Sequence, residues 1–465
     1  MFSFRLTERR TLLVVVDLIL VELTTVLAFW IMAARAQWIF DWHYLSDNTV
    51  WFVALPALWF ISALFNDFYN PQKITDLQNA LTALIRSVGL VMIVYLVVYF
   101  FFATPGALPR GVVGYQGVAS SILIGLWRLG YVMAIQRPRF ARKIIIVGAG
   151  WAGETIAQAI QEHASVHYRI LGFIDDDPAK VGQTICDLPV LGASSDLIHL
   201  AQDQNVPEVI LAISHETNPI LFRALLDCKE RGIQVTLMAE LFEQLTGRIP
   251  IEHIGDYWNV ALPLDLAEAS GFYPVAKRIF DIVSASIGLI LYAILFPFIV
   301  LAILIDSRGA IIYTQERIGK SGKPFKLLKL RTMVTDAEAD GQALRAQERD
   351  PRITRVGRWL RKTRLDEMPQ LLNVLKGEMS AVGPRPERPE HLAELDRVIP
   401  FHRLRNSVKP GMAGWAVVNH GYVESVEDAK IRLQYDLYYI KHQSLWLDWM
   451  ILIKTMGHML ALRGR

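Results

Sequence analysis

Hydrophobic residues form long uninterrupted runs in the N-terminal third of the chain and again after residue 280. Four runs predict membrane-spanning helices, at 12–34, 49–67, 87–104 and 116–135. In a fifth run, 24 uncharged residues separate Asp281 from Asp306, and as a helix they would cover about 36 Å. Pro297 lies in the last third of this run, where it predicts a bend.

Basic residues at the ends of the four N-terminal runs indicate their orientation. Arginines precede the first run, Lys73 and Arg86 lie between the second and third, and four basic residues follow the fourth at 137–143. The other two loops contain only Arg35 and Arg110. Because cytoplasmic loops carry an excess of Lys and Arg, both ends of this bundle are expected in the cytoplasm. Asp17 and Glu22 fall inside the first run and are expected to face the bundle interior.

Between residues 141 and 248 short β-type runs alternate with amphipathic helices, which predicts an α/β domain. Gly148, Gly150 and Gly153 follow an apolar strand and open a helix, the G-x-G-x-x-G arrangement of dinucleotide-binding folds. A second strand ends at Asp175, where a ribose-binding acid is expected. We therefore predict a Rossmann-like domain, but the sequence leaves open whether it binds a dinucleotide, another nucleotide or no ligand.

The composition fits a protein that combines membrane helices with soluble domains. Of the 465 residues 52% are hydrophobic and 20% are charged. The net charge of +3 gives no indication of nucleic-acid binding, and none is expected. Two cysteines, Cys186 and Cys228, argue against a disulfide framework and suit a reducing compartment.

The densest chemical pattern lies between residues 315 and 415, where many cations surround the adjacent pair Asp366 and Glu367. These cations include Arg317, Lys329, Arg331, Arg352, Arg361 and Arg385, the last fixed between Pro384 and Pro386. Guanidinium groups bind phosphates bidentately, so the pattern suits a substrate such as a diphosphate. One carboxylate could attack phosphorus while the other holds a divalent metal, for which Mg²⁺ is the usual choice. The alternative is a solvated basic face beside anionic lipid.

Several motifs occur in order after residue 273: K-R-I-F-D, Q-x-R-x-G, K-x-R-T-M, D-P-R-I-T-R-x-G, L-D-E-x-P-Q-L-x-N-V-L-x-G, M-S-x-V-G-P-R-P and K-P-G-x-x-G-W. Together they resemble the bacterial polyprenol-phosphate hexose-1-phosphate transferases, and the whole chain resembles the long form of that family. The resemblance implies transfer of hexose-1-phosphate, with glucose or galactose favoured, from a UDP-sugar to undecaprenyl phosphate. UMP would be released in this first membrane step of exopolysaccharide, capsule or O-antigen synthesis.

The resemblance also implies roles for individual residues. Asp366 would attack the β-phosphorus to form a phosphosugar-aspartyl intermediate, and Glu367 would carry Mg²⁺, with Mn²⁺ as an alternative. Lys329, Arg361 and Arg385 match cations that the family places near phosphates. The remaining residues expected to bind substrate lie in the matched motifs: Arg317, Arg331, Arg352, Pro384, Pro386 and Trp415. The sequence departs from the family pattern at Phe296, where small members have Ser, and at Val417, where the family has Gln.

The expected architecture is mixed membrane α-helical plus α/β. It comprises a four-helix transmembrane domain at 1–140, a Rossmann-like cytoplasmic domain at 141–248, a linker at 249–272 and a monotopic phosphoglycosyl transferase domain at 273–465. UDP-sugars are cytoplasmic, so the segment 278–306 is expected to be a re-entrant hairpin that turns near Phe296 and Pro297. The expected location is the bacterial inner membrane, with the catalytic domain facing the cytoplasm. Membrane lipids are expected partners, and a homodimer is one option.

Two alternative functions stay open. Tyr273 and Lys277 spell Y-x-x-x-K, the acid-base pair of nucleotide-sugar dehydratases, which suggests an NAD-dependent membrane dehydratase using the turn at 148–153. A non-enzymatic alternative is a membrane scaffold that senses a nucleotide.

Overall fold

A computed structural model describes residues 6–66, 68–69, 77–102, 110–135, 141–213, 218–251, 272–334, 350–420 and 425–460. The chain divides into two compact units, Met1–Thr246 and Gly247–Arg465. Most of the predicted linker, residues 252–271, lies outside the described residues.

The first unit opens with a group of apolar helices: α1 (Leu6–Ala36), α2 (Trp42–Asp47), α3 (Thr49–Phe65), α4 (Leu77–Phe102) and α5 (Arg110–Ile135). Three of them extend beyond the predicted apolar runs, because the helical backbone continues into the flanking polar residues. In the described part of the chain, four helical segments are long and apolar enough to cross a membrane: Glu8–Ala36, Leu77–Phe100, Gly111–Ala134 and Tyr273–Asp306. Helix α3 has 17 residues and contains Pro56, so it is shorter than a typical span of about 20 residues.

A buried ion pair joins α1 to α5. The Nη2 atom of Arg128 lies 2.5 Å from Oδ2 of Asp17, and the two residues are 1% and 0% exposed. The guanidinium of Arg128 also lies 4.3 Å from the ring centre of Phe68. The prediction that Asp17 faces the bundle interior is therefore confirmed, whereas its partner was not anticipated. Glu22 is half-buried beside a groove that also contains Pro56.

The second part of this unit is a six-stranded sheet in the order β3-β4-β2-β1-β5-β6, in which only the β3–β4 pair is antiparallel. Its strands are β1 (Arg142–Val147), β2 (Tyr168–Ile174), β3 (Thr184–Ile185), β4 (Leu188–Gly192), β5 (Glu208–Leu211) and β6 (Gln234–Leu237). The helices are α6 (Trp151–Ala164), α7 (Leu197–Asp203), α8 (Pro219–Glu230) and α9 (Met238–Thr246). Ile144 and Ile145 belong to separate cores on opposite faces of β1. Helices cover both faces, which explains the continuous apolar run of this strand.

The beginning of α1 is tied to this sheet by Arg9, whose Nη1 atom lies 2.8 Å from Nδ1 of His167. Both residues are buried. The carbonyl of His167 accepts a hydrogen bond of 2.8 Å from the amide of Arg142, the first residue of β1. One histidine therefore contacts both the membrane helix and the central strand.

The second unit contains α10 (Tyr273–Asp306), β7 (Ile312–Ile318), β8 (Pro324–Leu330), α11 (Arg355–Thr363), α12 (Gln370–Lys376), β9 (Ser380–Val382), α13 (Pro389–Val398), β10 (Gly411–Ala413), α14 (Trp415–Asn419), α15 (Val426–Lys441) and α16 (Leu445–Leu460). Strands β7 and β8 form an antiparallel hairpin, and β9 pairs with β10 in parallel. Ile249 and Ile251 pack in the main core of this unit with Leu433 of α15. The predicted linker 249–272 therefore begins inside the second unit, because these two apolar side chains are buried there.

Helix α10 continues for 34 residues through Pro297, so the turn expected at Phe296 and Pro297 is not a break in the helix. Proline removes one backbone donor, and the neighbouring helical hydrogen bonds suffice to continue the helix. Both ends of α10 contact the rest of the unit. Arg278 Nη1 donates to the carbonyl of Val374 at 2.7 Å, and Asp306 Oδ2 accepts from the amide of Val356 at 2.8 Å.

Candidate active site

Asp366 and Glu367 lie in a short 3₁₀ turn, Leu365–Glu367, between α11 and α12. Thr354 caps α11 by accepting a hydrogen bond of 2.9 Å from the amide of Gly357. The helix ends at Thr363, and the next residue, Arg364, has a left-handed φ of 56° that redirects the chain into the turn. Asp366 is 7% exposed and the side chain of Glu367 is 15% exposed, so the pair is largely removed from solvent.

Cations from two other elements hold the Glu367 carboxylate. Lys329 of β8 places its Nζ atom 3.3 Å from Oε1. Arg385, which follows β9, donates from Nη1 to Oε2 at 3.4 Å and from Nη2 to Oε1. The structure thus brings together three residues that are distant in the sequence.

Arg361 of α11 is oriented by Thr332, which follows β8. Arg361 Nε donates to Thr332 Oγ1 at 2.8 Å. Helix α11 approaches this segment so closely that a Cβ added at Gly357 would lie 2.1 Å from the carbonyl oxygen of Thr332. Thr332 was not among the predicted site residues, although it belongs to the K-x-R-T-M motif.

The pKa values of the two acids shift in opposite directions. Burial and then the neighbouring charge of Glu367 raise the pKa of Asp366 to about 6. Burial alone would raise the pKa of Glu367, but the charges of Arg385 and Lys329 outweigh it and hold this pKa well below the usual value. Adjacent carboxyl groups whose pKa values are driven apart are typical of groups with different chemical roles.

Positive charge exceeds negative charge around this pair. Arg317 of β7 donates from Nη1 to the carbonyl of Pro386 at 3.1 Å. Burial and then the nearby charge of Arg385 lower the pKa of Arg317 to about 10. Burial also lowers the pKa of Lys329. With Arg361, four cations therefore accompany two carboxyl groups, and the surplus favours an anionic ligand.

Other predicted substrate-binding residues make contacts elsewhere in the unit. Arg331 donates from Nη2 to the carbonyl of Ser307 at 2.7 Å, and Arg352 donates to both oxygens of Asp350. The carbonyl of Pro384 accepts from the amide of Gly411 at 2.9 Å. Trp415 donates from Nε1 to the carbonyl of Gly247 at 2.9 Å and stacks on Tyr438 at 5.8 Å. These contacts fix the fold, and a role in substrate binding stays a prediction.

Tyr292 of α10 is a residue that the sequence reasoning missed. It is 6% exposed, and its hydroxyl has no hydrogen-bond partner among the described residues. It packs in a cluster with Leu365 and Met368, which flank the acidic pair. A lone tyrosine within an otherwise apolar helical run was the available signal.

Tyr273 and Lys277, the Y-x-x-x-K pair, both bind a third residue. The hydroxyl of Tyr273 donates to Oδ2 of Asp448 at 3.1 Å, and Nζ of Lys277 lies 2.9 Å from the same oxygen. Tyr439 donates to the other oxygen of Asp448 at 2.7 Å. Because Asp448 is fully buried, this cluster ties the beginning of α10 to α15 and α16.

The glycine-rich turn of the first unit has the backbone that its spacing predicts. Gly148 has a φ of +107°, and a Cβ there would lie 2.3 Å from the carbonyl oxygen of Ala212. A Cβ at Gly153 would lie 2.0 Å from the Gly148 oxygen, whereas Gly150 has open space around it. Asp175 Oδ2 accepts from the amide of Ala149 at 2.8 Å, which ties this acid to the turn.

Comparisons with known proteins agree with the motifs. A family model described as bacterial sugar transferase matches residues 272–462, and one described as CoA-binding domain matches residues 64–239. A UDP-N-acetylgalactosamine-undecaprenyl-phosphate N-acetylgalactosaminephosphotransferase of Aeromonas hydrophila is 33% identical over 88% of this chain and 92% of its own. The chain belongs to the bacterial sugar transferase family.

Other relatives have the same type of name. A UDP-glucose:undecaprenyl-phosphate glucose-1-phosphate transferase of Escherichia coli (strain K12) is 30% identical over 71% of this chain and 74% of its own. A UDP-galactose-lipid carrier transferase of Erwinia amylovora is 33% identical over 70% of this chain and 69% of its own. The protein is therefore an enzyme, a sugar transferase with apolar helices suited to a membrane. The match to a solved Rex-family repressor covers 34% of this chain and 79% of the repressor, at 18% identity. Its TM-score of 0.20 is too low to show a shared fold.

Proposed function

We propose that this enzyme transfers hexose-1-phosphate from a UDP-sugar to undecaprenyl phosphate and releases UMP. The observation that carries the proposal is the pair of buried Asp366 and half-buried Glu367, which is surrounded by surplus positive charge. The names of the relatives supply the substrate class, with glucose, galactose and N-acetylgalactosamine as the candidate sugars. The bound Tyr273 and Lys277 pair gives no support to the dehydratase alternative.

In the first step, an Asp366 carboxylate oxygen attacks the β-phosphorus of the UDP-sugar. The new oxygen–phosphorus bond forms as the bond from phosphorus to the bridging oxygen breaks, and UMP leaves with the electron pair. Arg361 favours the ionised form of Asp366, since its charge lowers the pKa that burial raises. Lys329 and Arg385, which contact Glu367, would stabilise negative charge on the phosphoryl oxygens.

In the second step, a phosphate oxygen of the lipid attacks the same phosphorus. The aspartyl–phosphorus bond then breaks, and the electron pair returns to the Asp366 carboxylate. Mg²⁺ is the proposed ion, with Mn²⁺ as an alternative, because carboxylate and phosphate oxygens are hard ligands. Glu367 would hold this ion, which would neutralise charge on the diphosphate.

A direct test measures UMP release by the purified chain with undecaprenyl phosphate, Mg²⁺ and each of the three UDP-sugars. We expect the Asp366→Asn variant to lose about 10³-fold or more in rate, since an amide is a poor nucleophile. Asp203→Asn, an exposed position in the other unit, is the matched control and should retain the wild-type rate. Wild-type turnover by Asp366→Asn would remove this residue from the mechanism.

We also propose that α10 bends at Pro297 without losing its helical backbone, so that it enters and leaves the membrane at the cytoplasmic face of the bacterial inner membrane. Contacts at both ends of α10 with the catalytic unit support this topology, as do exposed apolar residues between them. Ala310→Cys, just beyond the helix, should resist an impermeant thiol reagent applied outside intact cells. Ser46→Cys, in α2 between the first two predicted spans and expected on the outer side, should react. Labelling of Ala310→Cys from outside would refute the proposal.

The sheet domain is proposed to be Rossmann-like and to bind a nucleotide at the turn 148–153. The strand order, the conformation of Gly148 and the CoA-binding family match support this proposal. Calorimetric titration with NADH and with coenzyme A tests it, and Gly150→Asp is the variant expected to abolish binding. A wild-type chain that binds neither ligand would favour a structural role for this domain.

A further inference from the structure

The backbone around Arg385 is held by other arginines through its carbonyl oxygens. Arg405 Nη2 donates to the carbonyl of Arg385 at 2.8 Å, and Arg432 Nη2 donates to the same oxygen at 3.4 Å. One residue later, the carbonyl of Pro386 accepts from Arg317 at 3.1 Å. This segment follows β9 without regular secondary structure of its own, so these side chains replace the hydrogen bonds that a helix or sheet would supply.

Acidic residues hold the two deeper arginines in turn. Arg405 Nη2 lies 2.9 Å from Oδ2 of Asp436, and Glu387 Oε1 lies 3.4 Å from Arg405 and 2.7 Å from Arg432. The side chains of Arg405 and Asp436 are 4% and 1% exposed. Burial alone would lower the pKa of Arg405, but Asp436 and Glu387 raise it above its usual value. Arg405 is thus held as a cation, and both of its terminal nitrogens have assigned partners.

Such a network needs an explanation other than stability. Removing several charges from water is costly, and buried ion pairs often contribute no more stability than apolar residues of similar size would. A guanidinium does, however, fix its partners in one plane, which a flexible ammonium does not. The carbonyl that Arg405 binds belongs to the residue whose own side chain reaches Glu367.

We propose that Arg405 is a positioning residue for the transfer reaction. Anchored by Asp436 and Glu387, it fixes the backbone of Arg385 and thereby places the Arg385 guanidinium on Glu367. This inference rests on the proposed function, and it adds a residue that contacts neither acid of the pair.

A double-mutant cycle tests the proposal through the rate of UMP release at saturating UDP-sugar. We expect Arg405→Met to lower kcat by about 100-fold, because a shift near 1 Å at a reacting group has an effect of this size. In an Arg385→Met background the same change should lower kcat by less than about 3-fold, since Arg405 would then have no guanidinium to position. If the loss in kcat of the double variant equals the product of the two single losses, the proposal is wrong and Arg405 has a general structural role.

Control variants separate positioning from misfolding. Arg403→Met changes a neighbouring arginine whose side chain is 84% exposed and should leave kcat unchanged. Arg405→Lys keeps the charge without the planar fork and should lower kcat in the same direction with little change in melting temperature. If Arg405→Met does not fold, the lysine variant is used in the same cycle.

A second readout does not depend on turnover. The amide of Gly411 donates to the carbonyl of Pro384 at 2.9 Å. The amide of Ile318 donates to the carbonyl of Glu387 at 3.0 Å. We expect hydrogen exchange of both amides to accelerate in Arg405→Lys but not in Arg403→Met. Unchanged exchange would refute the positioning role. If exchange is faster in Arg405→Lys but the wild-type chain releases no UMP, only the proposed function is refuted.

Discussion

Acidification should weaken the contact between α1 and the sheet through His167. Arg9 donates to Nδ1 of His167, so this nitrogen must be unprotonated in the folded chain. Burial and then the charge of Arg9 lower the pKa of His167 from 6.5 to about 4. Between these values the unfolded chain binds a proton that the folded chain does not. The free energy of unfolding therefore falls as the pH drops below 6.5, and this loss is complete near pH 4.

The two pKa values set the size of this effect. At pH 5 the unfolded state gains about 2 kcal/mol relative to neutral pH from the titration of His167 alone. For a unit of this size, that corresponds to a fall of about 4 to 8 °C in melting temperature. His167 is 6% exposed, so screening by solvent reduces the effect little.

The assay is thermal unfolding of the full chain in detergent at pH 7.5 and pH 5. His167→Gln offers Arg9 an amide oxygen that does not titrate. The fall in melting temperature between the two pH values should therefore be smaller in this variant by about 4 to 8 °C. His199→Gln is the matched control at an exposed histidine and should behave like the wild type. An equal fall in the wild type and in His167→Gln would show that His167 titrates normally, and the reasoning would be wrong.

Three further substitutions test other parts of the fold by melting temperature and yield. Arg128→Met leaves Asp17 as an unpaired buried charge and should cost about 3–5 kcal/mol, while adding Asp17→Leu should restore much of the loss. Gly357→Ala should cost about 1–3 kcal/mol and lower activity, because the new methyl group meets the Thr332 carbonyl and displaces α11. Ile249→Ala should cost about 2–5 kcal/mol, whereas a true linker position would tolerate it.

The acidic pair and its nearest cations could be predicted because short motifs contain them. Residue type and spacing alone do not distinguish Arg385, which binds Glu367, from Arg331 and Arg352, which bind other partners. Only the family resemblance singled out Arg385. All three are arginines in a basic region, and the partner that each side chain contacts depends on residues brought close by the tertiary fold. Arg405 was missed for the same reason, since Asp436 lies on another element.

For the membrane helices too, the sequence predicted some features and missed others. Apolar runs located each helix but not its ends, because helical hydrogen bonding continues into polar residues that a hydropathy pattern excludes. Asp17 could be assigned to the bundle interior on the cost of a carboxylate in lipid. Its partner, Arg128, comes from a helix more than a hundred residues later, so no local pattern connects the two.

The early start of the catalytic core determines where the chain can be divided. Helix α9 ends at Thr246, and the next residue, Gly247, already accepts a hydrogen bond from Trp415. Ile249 and Ile251 then fill the catalytic core. A fragment that begins at the family boundary near residue 272 would leave two isoleucine-sized voids and an unpaired indole. An isolated catalytic fragment should therefore begin at Gly247, and the sheet domain should end at Thr246.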